Sequence, residues 1–223
     1  MTDHRRVLLA WSSGKDSAWA LHRLRMQRDV ELVGLLTTVD RGAGEVPIHG
    51  VAEALVQAQA QAIGLPLTKV WINSPCSNAD YEQAVGAALR DAKDRGVTHV
   101  AFGDLFLEDI RRYREDSLRD TGLGLLFPLW GRATGELARE MVTNGLRAVV
   151  SAVDTEQLDG TWAGKEFDER FLADLPRQAD PCGERGEFHT FVYDGPMFKM
   201  PVRLVRGRQQ SKGRFRTIEL GLA

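Results

Sequence analysis

The sequence predicts an α/β protein: a parallel, doubly wound sheet followed by a small irregular C-terminal portion. Three observations lead there. Short, continuously apolar runs recur through the first part of the chain. Each is followed by apolar residues at helical spacing. The alternation of strand and helix is unbroken over residues 5–153, the pattern of a parallel sheet with helices on both faces.

Val7-Leu8-Leu9-Ala10-Trp11 is the first apolar run, a strand buried on both faces. A polar turn with one glycine follows at residues 12–17, and Ala18, Leu21 and Leu24 then mark a helix. Residues 32–39 read as a second strand, broken by Arg41-Gly42-Ala43-Gly44. Val51, Leu55, Ala58 and Ala62 form the next helical stripe, which Gly64 and Pro66 end. Residues 67–72 are a third strand. Tyr81, Val85, Ala88 and Ala92 lie on a third helix that Gly96 stops, and residues 97–102 are a fourth strand. After Gly103 comes a charged helix with Phe106, Ile110 and Tyr113 as its apolar stripe. Residues 125–127 form a brief strand, Leu137 and Met141 sit on another helix, and residues 146–153 complete the pattern as a further strand. Trp11, Trp71 and Trp130, in or beside strands, are assigned to the core.

From Thr161 onward the helical periodicity fades, and Gly and Pro become frequent between Pro176 and Pro201. Residues 202–206 and 215–220 alternate and flank a polar segment with a glycine, which predicts a β-hairpin. Arg203, Arg206, Arg208, Lys212, Arg214 and Arg216 lie on it. They read either as a solvated, charge-protected edge or as a surface for an acidic macromolecule.

Composition narrows the function. At 223 residues there is room for one large domain or two small ones. A net charge of -2 argues against nucleic-acid binding driven by bulk charge. No apolar run approaches the ~20 residues of a membrane helix. The stretch after Met1–Arg6 is too short for a secretory signal, so a cytoplasmic protein is expected. Two distant cysteines, Cys76 and Cys182, exclude a disulfide scaffold and a four-cysteine zinc site. Cys76 receives no role.

An apolar strand running through Ser12-Ser13-Gly14-Lys15-Asp16-Ser17 into a helix is suited to phosphate. The first-turn amides of a helix lack intrahelical partners, and its dipole places positive charge there. Gly14 permits close approach of an anion, Lys15 adds a mobile cation, and Ser12 and Ser17 add hydroxyl donors. Asp16 is wrong for touching phosphate; it caps the helix or binds a metal that travels with the phosphates. Asp16 follows Lys15 where a Walker A loop needs Ser or Thr, and no GxGxxG is present. Asp104 directly follows the end of a predicted strand, where open α/β sheets bind ligands.

The turn resembles the SGGKDS loop of the PP-loop ATP pyrophosphatases, which cleave ATP between its α and β phosphates. Within that superfamily, four further segments resemble the diphthine–ammonia ligase family, in order and over nearly the whole chain. Phe127-Pro128-Leu129-Trp130 carries its P-L-W, and Trp162-Ala163-Gly164-Lys165-Glu166-Phe167-Asp168 is similar to its W-L-G-R-x-x-D. Cys182-Gly183-Glu184-Arg185-Gly186-Glu187-Phe188-His189-Thr190 is similar to its C-G-E-G-G-E-[FY]-x-T. Asp194-Gly195-Pro196-Met197-Phe198 is similar to its D-G-P-x-F. Two departures stand out. Ser13 replaces the family's usual Gly, and presents the same amide if its φ is negative. Gly103-Asp104-Leu105, with Asp109-Ile110, replaces the family's G-A-I and the Ser and Tyr-Gln after it, as in bacterial members. Diphthamide belongs to an archaeal and eukaryotic elongation factor, so the nucleotide chemistry carries over more firmly than the acceptor.

Asp180–Thr190 packs three acids, a thiol and an imidazole into eleven positions, and its two glycines make it a turn-rich loop. Glu184 and Glu187 could hold an amine, ammonia or Mg²⁺ beside an activated carboxylate. Cys182, Glu184, Glu187 and His189 could instead ligate a transition metal, though not at a recognised zinc spacing. The remaining reading is an exposed acidic loop. On the charged helix, the Glu108–Arg112 and Glu115–Arg119 spacings suit salt bridges on a solvated face.

The resemblance implies a PP-loop ATP-binding domain over residues 1–155 and an acceptor-binding portion over residues 156–223. ATP is expected with its phosphates on residues 12–17, and with its adenine near Ala10, Leu36, Thr37, Thr38 and Phe102, beside Gly103 and Asp104. Lys15, Asp16, Glu184 and Glu187 are the expected catalytic residues. His49, Glu115, Gly186, His189 and Thr190 are expected to bind the acceptor, a carboxylate on a small molecule or protein side chain. Adenylation with Mg²⁺, release of pyrophosphate, and displacement of AMP by ammonia or an amine would then form an amide. No glutaminase segment is evident, so ammonia arrives free or from a partner; a homodimer stays open. The alternatives are a non-catalytic adenine-nucleotide sensor and tRNA thiolation, which usually needs paired cysteines.

Overall fold

A computed structural model describes residues 4–47 and 50–223. Its first layer is a five-stranded parallel sheet. The strands are β1 (Arg5–Ala10), β2 (Val30–Asp40), β5 (Leu67–Ile72), β6 (His99–Ala101) and β7 (Gly124–Leu126), in the order β5-β2-β1-β6-β7. The two-residue strands β3 (Glu45–Val46) and β4 (Val51–Ala52) pair separately. Val51, expected on a helix, lies in β4, and α2 begins at the next turn (Glu53–Ile63).

Period-two alternation divides the sheet's side chains between two cores. Val7, Leu9 and Leu35 pack with helices α1 (Lys15–Arg25) and α2. Leu8, Leu36, Val70 and Ile72 pack with Leu89 and Ala92 of α3 (Asn78–Asp94) and Leu118 of α4 (Glu108–Leu118). The doubly wound expectation is therefore met. Gly64 ends α2 in the left-handed region at φ 79°, which a residue without Cβ enters freely.

The last expected strand of this sheet lies elsewhere. β8 (Arg147–Asp154), reached through α5 (Thr134–Thr143), pairs antiparallel with β9 (Phe188–Asp194) and β11 (Phe215–Leu222). With β10 (Leu204–Lys212) they form a second sheet, ordered β10-β11-β8-β9. The C-terminal portion is thus not irregular. The expected hairpin is β10–β11, while β9 and the short helix α6 (Glu169–Asp174) went unread in the sequence. Asp168 caps α6 by accepting the Phe171 N–H at 2.7 Å. Trp162, Phe167, Phe171 and Phe188 form an aromatic cluster within the core that also holds α1 and α2.

Of the six basic residues on the hairpin, Arg206 pairs with Glu166, Lys212 with Glu45, and Arg214 with Asp154 and Glu156. Half of that cluster is therefore neutralised within the chain.

Candidate functional site

β1 delivers the chain to the C-terminal edge of the parallel sheet, where residues 12–17 turn into α1. Gly14 is the N-cap of α1 and carries no side-chain cap bond; the Lys15 amide is taken by Thr190, and the amides after it in the first turn face the end of the helix where an anion is favoured. Ser17 Oγ donates to the Gly14 carbonyl at 2.9 Å and lies 3.2 Å from Ser12 Oγ. Ser13 departs from expectation: its φ is 71°, so it takes the left-handed conformation that favours glycine. Its side chain is fully buried beneath the turn and does not line the cavity.

The second sheet closes on this turn. The Lys15 N–H donates to Thr190 Oγ1 at 3.0 Å, and the Val192 N–H donates to the Ser13 carbonyl at 3.0 Å. From the parallel sheet, Gly103 comes so near that a Cβ there would lie 2.9 Å from the Ser17 amide nitrogen. Only a glycine fits between the end of β6 and the start of α1.

Lys15 is not the loosely held cation that its place in a turn suggested. It is buried, its Nζ donates to Asp16 Oδ2 at 2.8 Å and to the Cys182 carbonyl, and it stands 5.4 Å from the Phe188 ring centroid. Burial opposes its charge, but Asp16, joined by Cys182 and Glu184, holds its pKa above the usual lysine value. Burial raises the Asp16 carboxyl against the pull of Lys15. Asp16 Oδ1 is buried without a hydrogen-bond partner.

A cavity of about 570 Å³ opens over the turn. From the turn and the strand ends it is lined by Ala10, Ser12, Gly14, Lys15, Asp16, Ser17, Leu36, Thr37, Thr38, Phe102, Gly103 and Asp104. From the second segment it is lined by Cys182, Gly183, Glu184, Gly186, Phe188, His189 and Thr190. Every residue expected around the nucleotide except Ser13 faces this one space. Thr37 Oγ1, also on its wall, is buried without a hydrogen-bond partner, and Asp104 Oδ2 has the Arg114 guanidinium beside it at 3.5 Å.

Three more expected residues stand apart. Glu115 is not on the wall; it pairs with Arg111, not Arg119, at 2.8 Å on the outer side of α4. His49 lies outside the described residues. Glu187 is buried and does not line the cavity, contrary to an exposed acidic loop. Its two oxygens accept the backbone N–H of Asp180 at 2.8 Å and of Arg185 at 3.0 Å, which fastens the loop from beneath.

Glu184 differs from Glu187 in its setting. It is half-buried on the cavity wall and accepts the Leu105 N–H at 2.9 Å. Burial pushes its carboxyl up to about 7, assisted by the negative charge of Asp16. Burial also raises Asp104, which is countered by Arg114 at 3.5 Å. His189 is held down to about 4 by burial and by Lys15, so its ring is neutral near pH 7. Burial pushes the Cys182 thiol far up, which leaves it inert. The transition-metal set is not assembled: among the described residues, no three His, Cys, Asp or Glu side chains converge to hold a metal.

The sequence reading missed Tyr81 and Glu82 of α3, and Tyr113 and Arg114 of α4, as parts of this wall. The Arg114 guanidinium lies 4.8 Å from the Phe102 ring centroid. Their helical periodicity read as core or as solvated face, and no local signal set them apart.

Two family models and several curated relatives match the chain. The family models for the N-terminal and C-terminal domains of diphthamide synthase match residues 5–125 and 133–219. The chain is 25% identical over 219 residues to the diphthine–ammonia ligase of Homo sapiens, covering 88% of this chain and 82% of that protein. It is 33% identical over 168 residues to that of Rattus norvegicus, covering 68% and 62% respectively. Against that of Schizosaccharomyces pombe it is 27% identical over 220 residues, and it spans 36% of that longer protein.

Proposed function

The chain belongs to the diphthamide synthase family, and on that premise we propose that it is an ATP-dependent carbon–nitrogen ligase of the PP-loop type that forms an amide from a carboxylate and ammonia or an amine. One observation carries this reading. The phosphate-suited turn and the acidic segment, more than 160 residues apart in sequence, face a single cavity. A nucleotide sensor would need only the first of these.

The chemistry follows from the wall. An oxygen of the acceptor carboxylate attacks the α-phosphorus of ATP, the bond from that phosphorus to the bridging oxygen breaks, and pyrophosphate leaves. Nitrogen then attacks the acyl carbon, the bond to the AMP oxygen breaks, and AMP leaves. Lys15 and the amides at the start of α1 stabilise the negative charge that grows on the phosphates. Glu184, with its pKa near 7, takes the proton that the attacking nitrogen sheds. Neutral His189 and Thr190 offer hydrogen bonds to the acceptor, while Glu187 keeps Glu184 in place by fastening their shared loop.

The site fits a Mg²⁺ ion that arrives with ATP. Asp16 supplies a buried oxygen without a partner, and such ions commonly use one or two carboxylates with phosphate and water oxygens. When bound, the ion would offset charge on the departing pyrophosphate.

Turnover with a carboxylate acceptor and ammonia should release AMP and pyrophosphate. Anion-exchange separation of the nucleotide products tests this, and ADP with inorganic phosphate would overturn it.

A further inference from the structure

Gln59 is fully buried on α2 and ties together three separate parts of the chain. Its Oε1 accepts from Trp11 Nε1 at 2.9 Å, at the end of β1. Its Nε2 donates to the Ser13 carbonyl at 3.0 Å and to the Val192 carbonyl of β9 at 2.5 Å. Ser13 is the one non-glycine residue with positive φ among the described residues. Its hydroxyl is also buried without a partner. Ser13 therefore carries two unfavourable features, a left-handed backbone with a Cβ and a desolvated hydroxyl. Such a conformation persists only when its surroundings over-determine it. Two donors grip the Ser13 carbonyl: the Val192 N–H and the Gln59 amide.

We propose that Gln59 is a positioning residue for the nucleotide turn: by gripping the Ser13 carbonyl and β9 with one amide, it holds the turn in the left-handed form that phosphate requires. Gln59 does not line the cavity. It substitutes for the freedom a glycine would bring at position 13. The proposal rests on the ATP-binding reading above.

The test compares wild type, Gln59→Met, Ser13→Gly and the double variant by calorimetric titration with ATP. Gln59→Met keeps the volume and removes the amide. It should weaken ATP binding about tenfold, a coupling of the size that contacting residues show. Because glycine adopts positive φ unaided, adding Ser13→Gly should restore most of that affinity. The gain from Ser13→Gly should be several times larger in the Gln59→Met background than in wild type. A merely structural role would lower the melting temperature of Gln59→Met without this rescue, so absence of rescue overturns the proposal, as does unchanged ATP affinity in Gln59→Met. Should Gln59→Met fail to fold, Trp11→Phe takes its place, since it frees the amide from the indole that orients it; because Trp11 itself lines the cavity, rescue by Ser13→Gly alone then decides, and its absence overturns the proposal. Wild-type protein that binds no ATP would defeat the functional reading itself. Binding without coupling defeats only the role given to Gln59.

Discussion

Replacing Glu184 with Gln should stabilise the protein at pH 8 and abolish amide formation. Burial holds the Glu184 carboxyl at about 7 in the folded chain, against 4.5 as its ordinary value. Between those values the folded protein keeps a proton that the unfolded chain has released, so stability falls as pH rises through the window and stays lower above it. A displacement of that size corresponds to about 3.4 kcal/mol at 1.36 kcal/mol per pH unit. Glu184 is half-buried, and screening by water reduces the figure to about 1–2 kcal/mol. The Gln side chain still accepts the Leu105 N–H and has nothing to ionise. Its melting temperature at pH 8 should exceed wild type by about 2–8 °C, at the 2–4 °C per kcal/mol usual for a chain of this length. Near pH 4 the two should coincide. His189 titrates in both proteins and drops out of the difference. Thermal unfolding from pH 4 to 8 is the assay. A variant less stable than wild type at pH 8, or a difference independent of pH, would refute the reasoning.

Two further outcomes follow from the same wall. Glu187→Ala strips the acceptor from two buried backbone N–H groups and should lower stability by about 2–4 kcal/mol; a melting temperature equal to wild type would show that the loop is fastened by other means. Lys15→Ala should weaken ATP binding by about 1.5–3 kcal/mol, the worth of a charge-assisted phosphate contact; unchanged affinity by calorimetry would place the phosphates elsewhere.

Much of this site was legible because its signals are local. An apolar run, a polar turn with Gly14 and Lys15, and the helical stripe of Ala18, Leu21 and Leu24 each report on their own neighbourhood. What failed depends on distant partners. The apolar run of β8 says that both faces are buried, but not by which sheet, and local pattern alone groups it with the parallel strands. In β9, Thr190, Phe191 and Val192 are all buried, which erases the alternation that marks a strand. Glu187 looked exposed because free carboxylates usually are; two backbone N–H groups from its own loop make its burial tolerable. Trp71, expected in the core, is 40% exposed on the edge strand β5 with the Arg41 guanidinium over its ring. Ile110 stands similarly exposed on α4, whose one buried residue is Leu118. The positive φ of Ser13 had no sequence signature beyond the family's glycine, because the amide that supports it comes from Gln59, 46 positions away.

The hydrogen bond from the Lys15 amide to Thr190 spans 175 positions in the chain. During synthesis, the first strand and helix emerge from the ribosome long before β9 does, at the ~5–20 residues per second typical of translation. Throughout that interval the turn lacks both Thr190 and the Val192 carbonyl that shares the Gln59 amide. Closing so long a loop is entropically costly and is deferred until the contacts that reward it exist. The nascent N-terminal layer can therefore pack its sheet without presenting a finished phosphate cradle. On the function proposed above, nucleotide occupancy becomes a late event, and ATP can stabilise only those molecules in which β9 has docked on the turn.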